Sequence, residues 1–265
     1  MSLTPFNQYK IAIISLGCAK NLVDAECMSQ LRDNGHQLVP DAAEADVVIV
    51  NTCGFIESAK KEAIDTILAM ADYKKPAGSA DYLIVTGCLA QRYRKEIAAQ
   101  LPEVDAILGV SEYNDISATI EQLYGTVVRE TDKANEAAAL NPAAAVDARL
   151  QHLISKRKPS TVGYAYIKIA EGCSNNCSYC AIPGIRGPFI SRLFEDIVGE
   201  AQNLAAQGYH ELVLIAQDTT RYGIDLYGSR ELPRLLRSIA ALEEVETIRV
   251  LYVYADGITD ERLFG

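Results

Sequence analysis

The stretch "DVVIVNTC" (46–53) decides the fold of the first half of the chain. Its run of valine and isoleucine is typical of a parallel β-strand that is buried on both faces. The runs "YKIAIISLGC" (9–18) and "DYLIVTGC" (81–88) have the same character, and apolar residues four apart follow each of the three, as in a helix. With a fourth strand at 104–110, the alternation predicts an open parallel-sheet, Rossmann-like α/β domain over residues 8–125.

A second α/β pattern fills the other half of the chain. The segments "VGYAYIKIAEG" (162–172), "ELVLIAQD" (211–218) and "TIRVLYVYAD" (247–256) predict strands, and helical patterns separate them. Three strands of this kind do not close a barrel. Residues 161–265 therefore predict an incomplete β/α barrel, and we expect the chain to be a fragment of a longer protein.

The segment between the two halves, 126–160, is rich in alanine and is interrupted by Pro142. It has no sustained apolar period, which predicts a linker that is part helix and part loop. The basic run "SKRK" (155–158) near its end is typical of a solvated linker face.

Composition narrows the class of protein. The chain has 265 residues, of which 49% are apolar, and a formal net charge of -10. Such an acidic balance argues against broad non-specific binding of nucleic acid, since phosphate contacts need Lys and Arg. Neither a signal-peptide-like run nor a membrane-length apolar stretch occurs, so we expect a cytoplasmic protein without membrane contact. In that compartment cysteines more often serve metal binding or catalysis than disulfides.

Three cysteines, Cys18, Cys53 and Cys88, stand at the tips of the first three predicted strands. Each lies 35 residues after the one before (53 − 18 and 88 − 53). Since ligands of open α/β sheets bind beyond the carboxyl ends of the strands, these thiols are expected to converge on one site. A single cysteine there is more often a small buried hydrophobe, but three in equivalent positions favour a metal site. Cys27 lies on the apolar stripe of the first helix and is predicted to be core.

The loop "EGCSNNCSYC" (171–180) holds Cys173, Cys177 and Cys180 with no fourth cysteine or histidine close behind. A structural zinc ion needs four tetrahedral ligands, and an electron-transfer 4Fe–4S cluster is usually held by four thiolates. A third interpretation explains why a fourth ligand is absent from the loop: three thiolates hold three irons of a 4Fe–4S cluster, and the fourth iron stays open. The position of the loop, after the first strand of a β/α unit where barrel enzymes have their active sites, favours this interpretation.

The loop resembles the cluster motif of radical S-adenosylmethionine (SAM) enzymes, and the rest of the chain resembles the methylthiotransferase family. Within that family it is similar to the branch that modifies a ribosomal protein. Five segments carry this likeness: "SLGCAKNLVDAE" (15–26), "NTCGFIESA" (51–59), "TGCLAQRY" (86–93), "EGCSNNCSYCAIPGIRG" (171–187) and "ELVLIAQDTTRYG" (211–223). Ala25 departs from the serine more usual there. Family members continue through the rest of a partial barrel and a TRAM domain, so we expect residues 1–265 alone to bind clusters without full turnover.

The resemblance implies two 4Fe–4S clusters and SAM as cofactors. Cys173, Cys177 and Cys180 would hold the cluster whose open iron binds SAM, which is cleaved to methionine and a 5′-deoxyadenosyl radical. Cys18, Cys53 and Cys88 would hold an auxiliary cluster that carries the sulfur to be inserted. A second SAM molecule would methylate that sulfur, and the two domains are expected to face each other across the substrate. No catalytic residue is assigned beyond the cluster ligands.

Four further residues are candidates for SAM binding. Tyr179 is expected to contact the adenine, with plain packing as the alternative. Gln217 and Asp218 end the second barrel strand and are expected to hold the ribose or the methionine part, although Asp218 could instead cap a loop. Arg192 is expected to pair with a carboxylate of SAM or substrate, with a surface salt bridge as the alternative. His36, His152 and His210 lie in no motif.

The resemblance implies methylthiolation of the β-carbon of an aspartate in small-subunit ribosomal protein twelve. An electron donor such as a flavodoxin-type protein and a source of sulfide are the implied partners. The alternative is methylthiolation of isopentenyladenosine in transfer RNA, where the stretch after the first cysteine tends to be polar and to contain glutamine. A non-catalytic iron–sulfur or zinc module is the alternative from another class, and it requires a fourth protein ligand at each site.

Overall fold

The structure is a computed structural model that describes residues 8–110, 112, 115–125 and 157–255. The chain divides into two compact units, Met1–Leu140 and Asn141–Gly265. Most of the predicted linker, residues 126–156, lies outside the described residues, as does His152. In the described part of the chain, no helix combines the length and the apolar character needed to cross a membrane.

The first unit is built around a parallel sheet, as predicted. Its strands among the described residues are β1 (Lys10–Ser15), β2 (Gln37–Leu38), β3 (Val47–Thr52), β4 (Tyr82–Gly87) and β5 (Ala106–Leu108). They lie in the order β2-β1-β3-β4-β5, with Ile13 beside Ile49 and Ile49 beside Ile84. Every residue of β3 is buried, which agrees with a central strand covered on both faces. The two-residue strand β2 was not predicted, because it is too short to show a period.

Helices connect these strands. They are α1 (Ala19–Met28), α2 (Glu57–Ala71), α3 (Cys88–Arg92), α4 (Arg94–Gln100) and α5 (Ile116–Leu123). Helix α2 buries Ala63 and Ile67, which are four residues apart, against the sheet. The predicted third helix is in fact two, since Tyr93 leaves the helical conformation (φ -126°, ψ 34°) between α3 and α4.

The second unit contains a parallel three-stranded sheet and a short antiparallel hairpin. The strands are β6 (Tyr164–Lys168), β7 (Ala170–Glu171), β8 (Ile190–Ser191), β9 (Glu211–Ile215) and β10 (Thr247–Val250). The parallel order is β10-β9-β6, while β7 and β8 pair with each other at the base of the cysteine loop. The predicted long strand over 162–172 is therefore interrupted at Ile169, where the chain leaves the main sheet.

The described helices of the second unit are α6 (Ile182–Arg186), α7 (Phe194–Ala206), α8 (Ile224–Tyr227) and α9 (Leu232–Ala240). Helices α7 and α9 pack against the three-stranded sheet. Helix α7 buries Ile197, Ala201 and Leu204, the three residues that predicted it. They belong to a core that includes Leu212 and Leu214 of β9. The α/β fold class predicted from the sequence is confirmed in both units.

The structure corrects the prediction that the basic run "SKRK" (155–158) is a solvated linker face. Lys158 is exposed, but Arg157 is only 4% exposed. The guanidinium of Arg157 donates through Nε to Glu200 Oε1 at 2.7 Å and also bonds the carbonyl oxygen of Tyr166. Arg157 is thus an internal ion-pair partner and not part of a solvated linker face.

Candidate functional site

Cys18, Cys53 and Cys88 each follow a strand of the first sheet. Cys18 precedes α1, Cys53 follows β3 directly, and Cys88 is the first residue of α3. Because β1, β3 and β4 are adjacent and parallel, the three tips lie along one edge of the sheet. Gly17, with φ +89°, brings the first tip against the second, since a Cβ there would stand 2.6 Å from Cys53 Cβ.

A network of amides and hydroxyls supports these cysteine tips. Asn21 donates to the carbonyl oxygens of Leu16 at 3.1 Å and Thr52 at 2.8 Å, so it ties the loop after β1 to the end of β3. Its Oδ1 lies 3.7 Å from the donating Cys88 Sγ. Asn51 donates to the carbonyl oxygen of Asn21 at 2.7 Å. We call Asn21, Asn51 and Thr52 the amide floor. These residues lie inside two of the segments that carry the family resemblance, but no role was predicted for them.

Cys27 does not join the other three cysteines. It is 5% exposed within α1, on the face that also buries Val23, and the prediction that it is a core residue is confirmed.

The second trio lies on one loop of the second unit. Cys173 is 5% exposed, while Cys177 and Cys180 are half-buried. The Cys173 N–H donates to the carbonyl oxygen of Gly187 at 3.0 Å, and that of Cys180 donates to Cys177 at 3.0 Å. Gly172, with φ +71°, is required at the loop entrance, because a Cβ there would stand 1.9 Å from the Pro188 carbonyl oxygen.

The thiols of this loop influence one another. Burial raises the pKa of the Cys173 thiol above its ordinary value; Asp218, Cys180 and Cys177 act in the same direction, against the Asn175 N–H. Binding of a metal at this thiol would therefore release a proton.

Asn175, between the first two cysteines of the loop, ties the loop to the end of β9. Its Nδ2 donates to Asp218 Oδ2 at 2.9 Å, and its Oδ1 accepts from Arg221 at 3.2 Å. We call Asn175, Asp218 and Arg221 the loop latch. Of these, only Asp218 was singled out from the sequence. Asparagine in a loop more often has a structural role than a functional one, so Asn175 was not.

Beneath the start of the loop lies a buried cluster of charges. Glu171 is 3% exposed, and its Oε2 accepts from Lys168 at 2.8 Å and Arg186 at 2.9 Å. Its Oε1 accepts from the Gly172 N–H at 3.1 Å and from Gln217 Nε2 at 3.0 Å. We call Lys168, Glu171 and Arg186 the ionic floor. The sequence did not predict it, because charged residues in a short strand ordinarily face solvent.

The structure separates the four predicted SAM-binding residues. Tyr179 is 85% exposed beside the last cysteine, and Gln217 lies just beyond β9, in contact with the ionic floor. The contacts of Asp218 match the capping alternative: it is 2% exposed and accepts from the Thr220 N–H at 3.1 Å. Arg192 is 2% exposed and donates through Nη1 to Glu200 at 2.5 Å and to the Lys168 carbonyl oxygen at 2.7 Å, so the alternative of a surface salt bridge is wrong. Its pairing with a carboxylate of SAM or substrate stays a prediction.

The two trios differ from a site for one metal ion. Among the described residues, no three His, Cys, Asp or Glu side chains stand close enough to hold a single ion. In a 4Fe–4S cluster each thiolate binds a different iron, so the three sulfur atoms lie further apart than ligands of one ion do. The donor set of each trio is three soft thiolates, a ligand type used by both iron–sulfur clusters and zinc.

Two family models match the chain. Residues 10–109 match UPF0004, an uncharacterized protein family, and residues 167–263 match the Radical SAM superfamily. The first match contains Cys18, Cys53 and Cys88, and the second contains the cysteine loop.

Curated relatives cover nearly all of the chain. Proteins named "Ribosomal protein uS12 methylthiotransferase RimO" are 50% identical to it in Acetivibrio thermocellus over 254 residues and in Clostridioides difficile over 257 residues. Each alignment spans 95% of this chain but only 54% of the relative. The chain thus spans about half the length of the curated relatives it matches.

Among solved structures, the chain is similar to the radical SAM methyltransferase TsrM from Kitasatospora setae, solved with cobalamin and a 4Fe–4S cluster. The TM-score is 0.55 at 13% identity, over 91% of this chain and 56% of that one. At so low an identity the likeness concerns the fold alone.

Proposed function

From the matches of residues 10–109 to UPF0004 and of residues 167–263 to the Radical SAM superfamily, we propose that the chain carries the cluster-binding part of a methylthiotransferase. Its substrate is the β-carbon of an aspartate in small-subunit ribosomal protein twelve. One observation carries the proposal: the first unit presents three cysteines at the carboxyl ends of three parallel strands, and the second presents three on the single loop that follows β7, in neither case with a fourth cysteine close by in the sequence. The names of the curated relatives support the substrate.

In this proposal Cys173, Cys177 and Cys180 bind three irons of one 4Fe–4S cluster and leave the fourth open to SAM. Cys18, Cys53 and Cys88 bind the auxiliary cluster in the same way. When bound, these groups supply the electron that cleaves SAM and the sulfur that is inserted. The protein's part is to hold the thiols in place, through the amide floor in the first unit and through the loop latch and ionic floor in the second.

SAM binding falls to residues around the cysteine loop. Gln217 presents its amide beside the ionic floor, and the exposed ring of Tyr179 is available to cover an adenine. Asp218 acts indirectly, because its carboxylate holds Asn175 and so fixes the loop between the first two cysteines. A flavodoxin-type electron donor and a sulfide source complete the proposed partners, in the cytoplasm.

The tRNA alternative shares the cysteine pattern and the chemistry, so the chain's own mechanism does not separate the two substrates. The names of the relatives favour the ribosomal protein. The stretch "AKNLVD" after Cys18 favours it as well, since it lacks the glutamine typical of the tRNA branch.

Mass spectrometry tests the proposal. Ribosomal protein twelve and transfer RNA nucleosides are analysed from cells with and without the full-length gene, and with a gene in which Cys173, Cys177 and Cys180 are serine. We expect the methylthio mass to vanish from the protein aspartate in both the deletion and the serine strain, while tRNA is unchanged. Loss from tRNA adenosine alone would overturn the substrate, and no change in either would overturn the enzyme.

A further inference from the structure

In the side-chain amide of Gln217, the NH₂ group has a hydrogen-bond partner and the oxygen has none within the described part of the chain. Its Nε2 donates to Glu171 Oε1 at 3.0 Å. Its Oε1 is buried and finds no donor among the residues that the structure describes. A buried amide oxygen without a donor is costly, so a ligand that donates a hydrogen bond is expected at that atom.

The chemistry of Glu171 settles which end of the amide faces the ligand. An ionised carboxylate only accepts hydrogen bonds, so the atom of Gln217 that touches it is the NH₂ group. Lys168 at 2.8 Å, Arg186 at 2.9 Å and the Gly172 N–H at 3.1 Å all donate to Glu171, so its two oxygens act as acceptors. The amide of Gln217 is therefore held in one orientation, with its oxygen directed away from the carboxylate.

The location of this oxygen connects it with the cysteine loop. Gln217 follows β9, whose last residue, Ile215, pairs in register with Lys168 at the end of β6. Glu171 precedes Cys173 by two residues and also accepts from the Gly172 N–H at the entrance of the loop. One carboxylate thus sets both the start of the loop and the orientation of the neighbouring amide.

We propose that Glu171 is a positioning residue, which fixes Gln217 so that its Oε1 accepts a hydrogen bond from SAM bound at the loop. This inference rests on the proposed function. The donor on SAM is an ammonium or a ribose hydroxyl, because a carboxylate of the ligand offers no proton to an amide oxygen. Glu171 itself touches no ligand in this arrangement.

SAM affinity of the chain, reconstituted anaerobically with iron and sulfide, tests the proposal. Glu171→Gln removes the charge and lets either end of Gln217 turn toward residue 171, so we expect SAM to bind about tenfold more weakly when samples of equal iron content are compared. Glu171→Asp keeps the charge beside Lys168 and Arg186 but falls short of Gln217. It is expected to show the same loss of SAM affinity. The test therefore does not depend on the folding of Glu171→Gln alone.

Glu200→Gln is the matched control. Glu200 is 3% exposed, like Glu171, and pairs with two arginines, Arg157 at 2.7 Å and Arg192 at 2.5 Å. We expect this variant to lower thermal stability yet to bind SAM within about twofold of the wild type. An equal loss of affinity in both variants would mean a general effect of core charge and would overturn the inference.

A double variant separates positioning from other roles of Glu171. Gln217→Leu removes the acceptor, and adding Glu171→Gln to it is expected to weaken SAM binding no further. A further loss of the full size seen in the single variant would overturn the inference. SAM analogues that lack the amino group or the ribose 2′-hydroxyl identify the donor: the one whose removal abolishes the difference between wild type and Glu171→Gln is the partner of Gln217.

The two proposals fail in different ways. If the wild-type chain carries iron but binds no SAM, the proposed function is wrong and the positioning role falls with it. If the wild type binds SAM and Glu171→Gln and Glu171→Asp bind it equally well, the function stands and the positioning role is wrong.

Discussion

The two cysteine trios are built in opposite ways. Cys18, Cys53 and Cys88 are separated by 35 residues each, so they meet only when three strands pair, and they rest on neutral amides. The trio of the second unit lies within residues 173–180 and rests beside buried charges. A site assembled by a sheet needs little more than register, whereas a site carried by a loop needs anchors to fix the loop.

Removing the thiols tests whether the two sites are equivalent metal sites. Serine in place of Cys173, Cys177 and Cys180 is expected to remove about half of the iron bound after reconstitution, because one of two clusters is lost. The same change in the first trio should remove the other half, as measured by iron analysis. Cys27→Ser is the control and should bind as much iron as the wild-type chain. A loss of iron equal to that of either triple variant would contradict the assignment.

The ionic floor of the second unit predicts a large loss of stability. Glu171→Leu leaves Lys168 and Arg186 as buried cations without their shared carboxylate, which is expected to cost about 3–5 kcal/mol in free energy of unfolding. Denaturant unfolding, followed by a probe in the second unit, measures it. A cost below about 1 kcal/mol would show that water reaches these cations, contrary to their burial.

The amide floor of the first unit predicts a smaller loss. Asn51→Ala removes hydrogen bonds to the Asn21 carbonyl oxygen and to Ser15, but it leaves no buried charge behind. We expect a cost of about 1–3 kcal/mol in the unfolding of the first unit. Asn203→Ala, on the exposed side of α7, is the control and should change stability by no more than about 0.5 kcal/mol. A loss as large as that of Glu171→Leu would erase the contrast between the floors.

The loop latch predicts weaker metal binding with little change in fold. Asn175→Ala frees the loop from Asp218 and Arg221, and we expect iron to be lost to a chelator at about tenfold lower chelator concentration. The first trio, which the amide floor supports, should keep its iron at the original concentration. Unchanged chelator resistance of the loop site would show that the cysteines alone fix the loop.

We expect the smallest effect, on the pH dependence of stability, from His36. This residue lies at the end of the first sheet that is away from the cysteines. Burial lowers its pKa below 6.5, against an opposing effect of Glu121. The unfolded chain therefore takes up a proton that the folded chain resists, so stability falls as the pH drops below 6.5 and is unaffected above it. His36→Phe keeps a ring beside Tyr9 and should flatten this acid limb in thermal melts; an unchanged limb would contradict it.

The sequence predicted the elements whose burial repeats along the chain. Strand β3 and helix α7 were found because valine, isoleucine and leucine recur at the spacing of a strand or a helix. Strands β2, β7 and β8 are only two residues long and show no period. The break between α3 and α4 was missed because Tyr93 fits either a helix or a cap.

The surroundings of the cysteines were harder to predict than the cysteines. Spacing alone singled out six thiols, but the partners of Glu171 lie up to 46 residues away and depend on how β6 and β9 pair. The burial of Arg192 was not predicted for a related reason. A charge near a motif suggests a ligand contact or a surface ion pair, and only the fold shows that Arg192 lies inside the unit beside Glu200 of α7.

Electron paramagnetic resonance of the reduced, reconstituted chain, with and without SAM labelled with ¹⁵N at the amino group, tests the central claim most directly. The account predicts that SAM shifts the signal of one cluster and that the labelled nitrogen couples to it. Both effects should disappear when Cys173, Cys177 and Cys180 are serine and persist when Cys18, Cys53 and Cys88 are serine. A reduced cluster on the loop that shows no response to SAM would contradict the claim that its fourth iron is open.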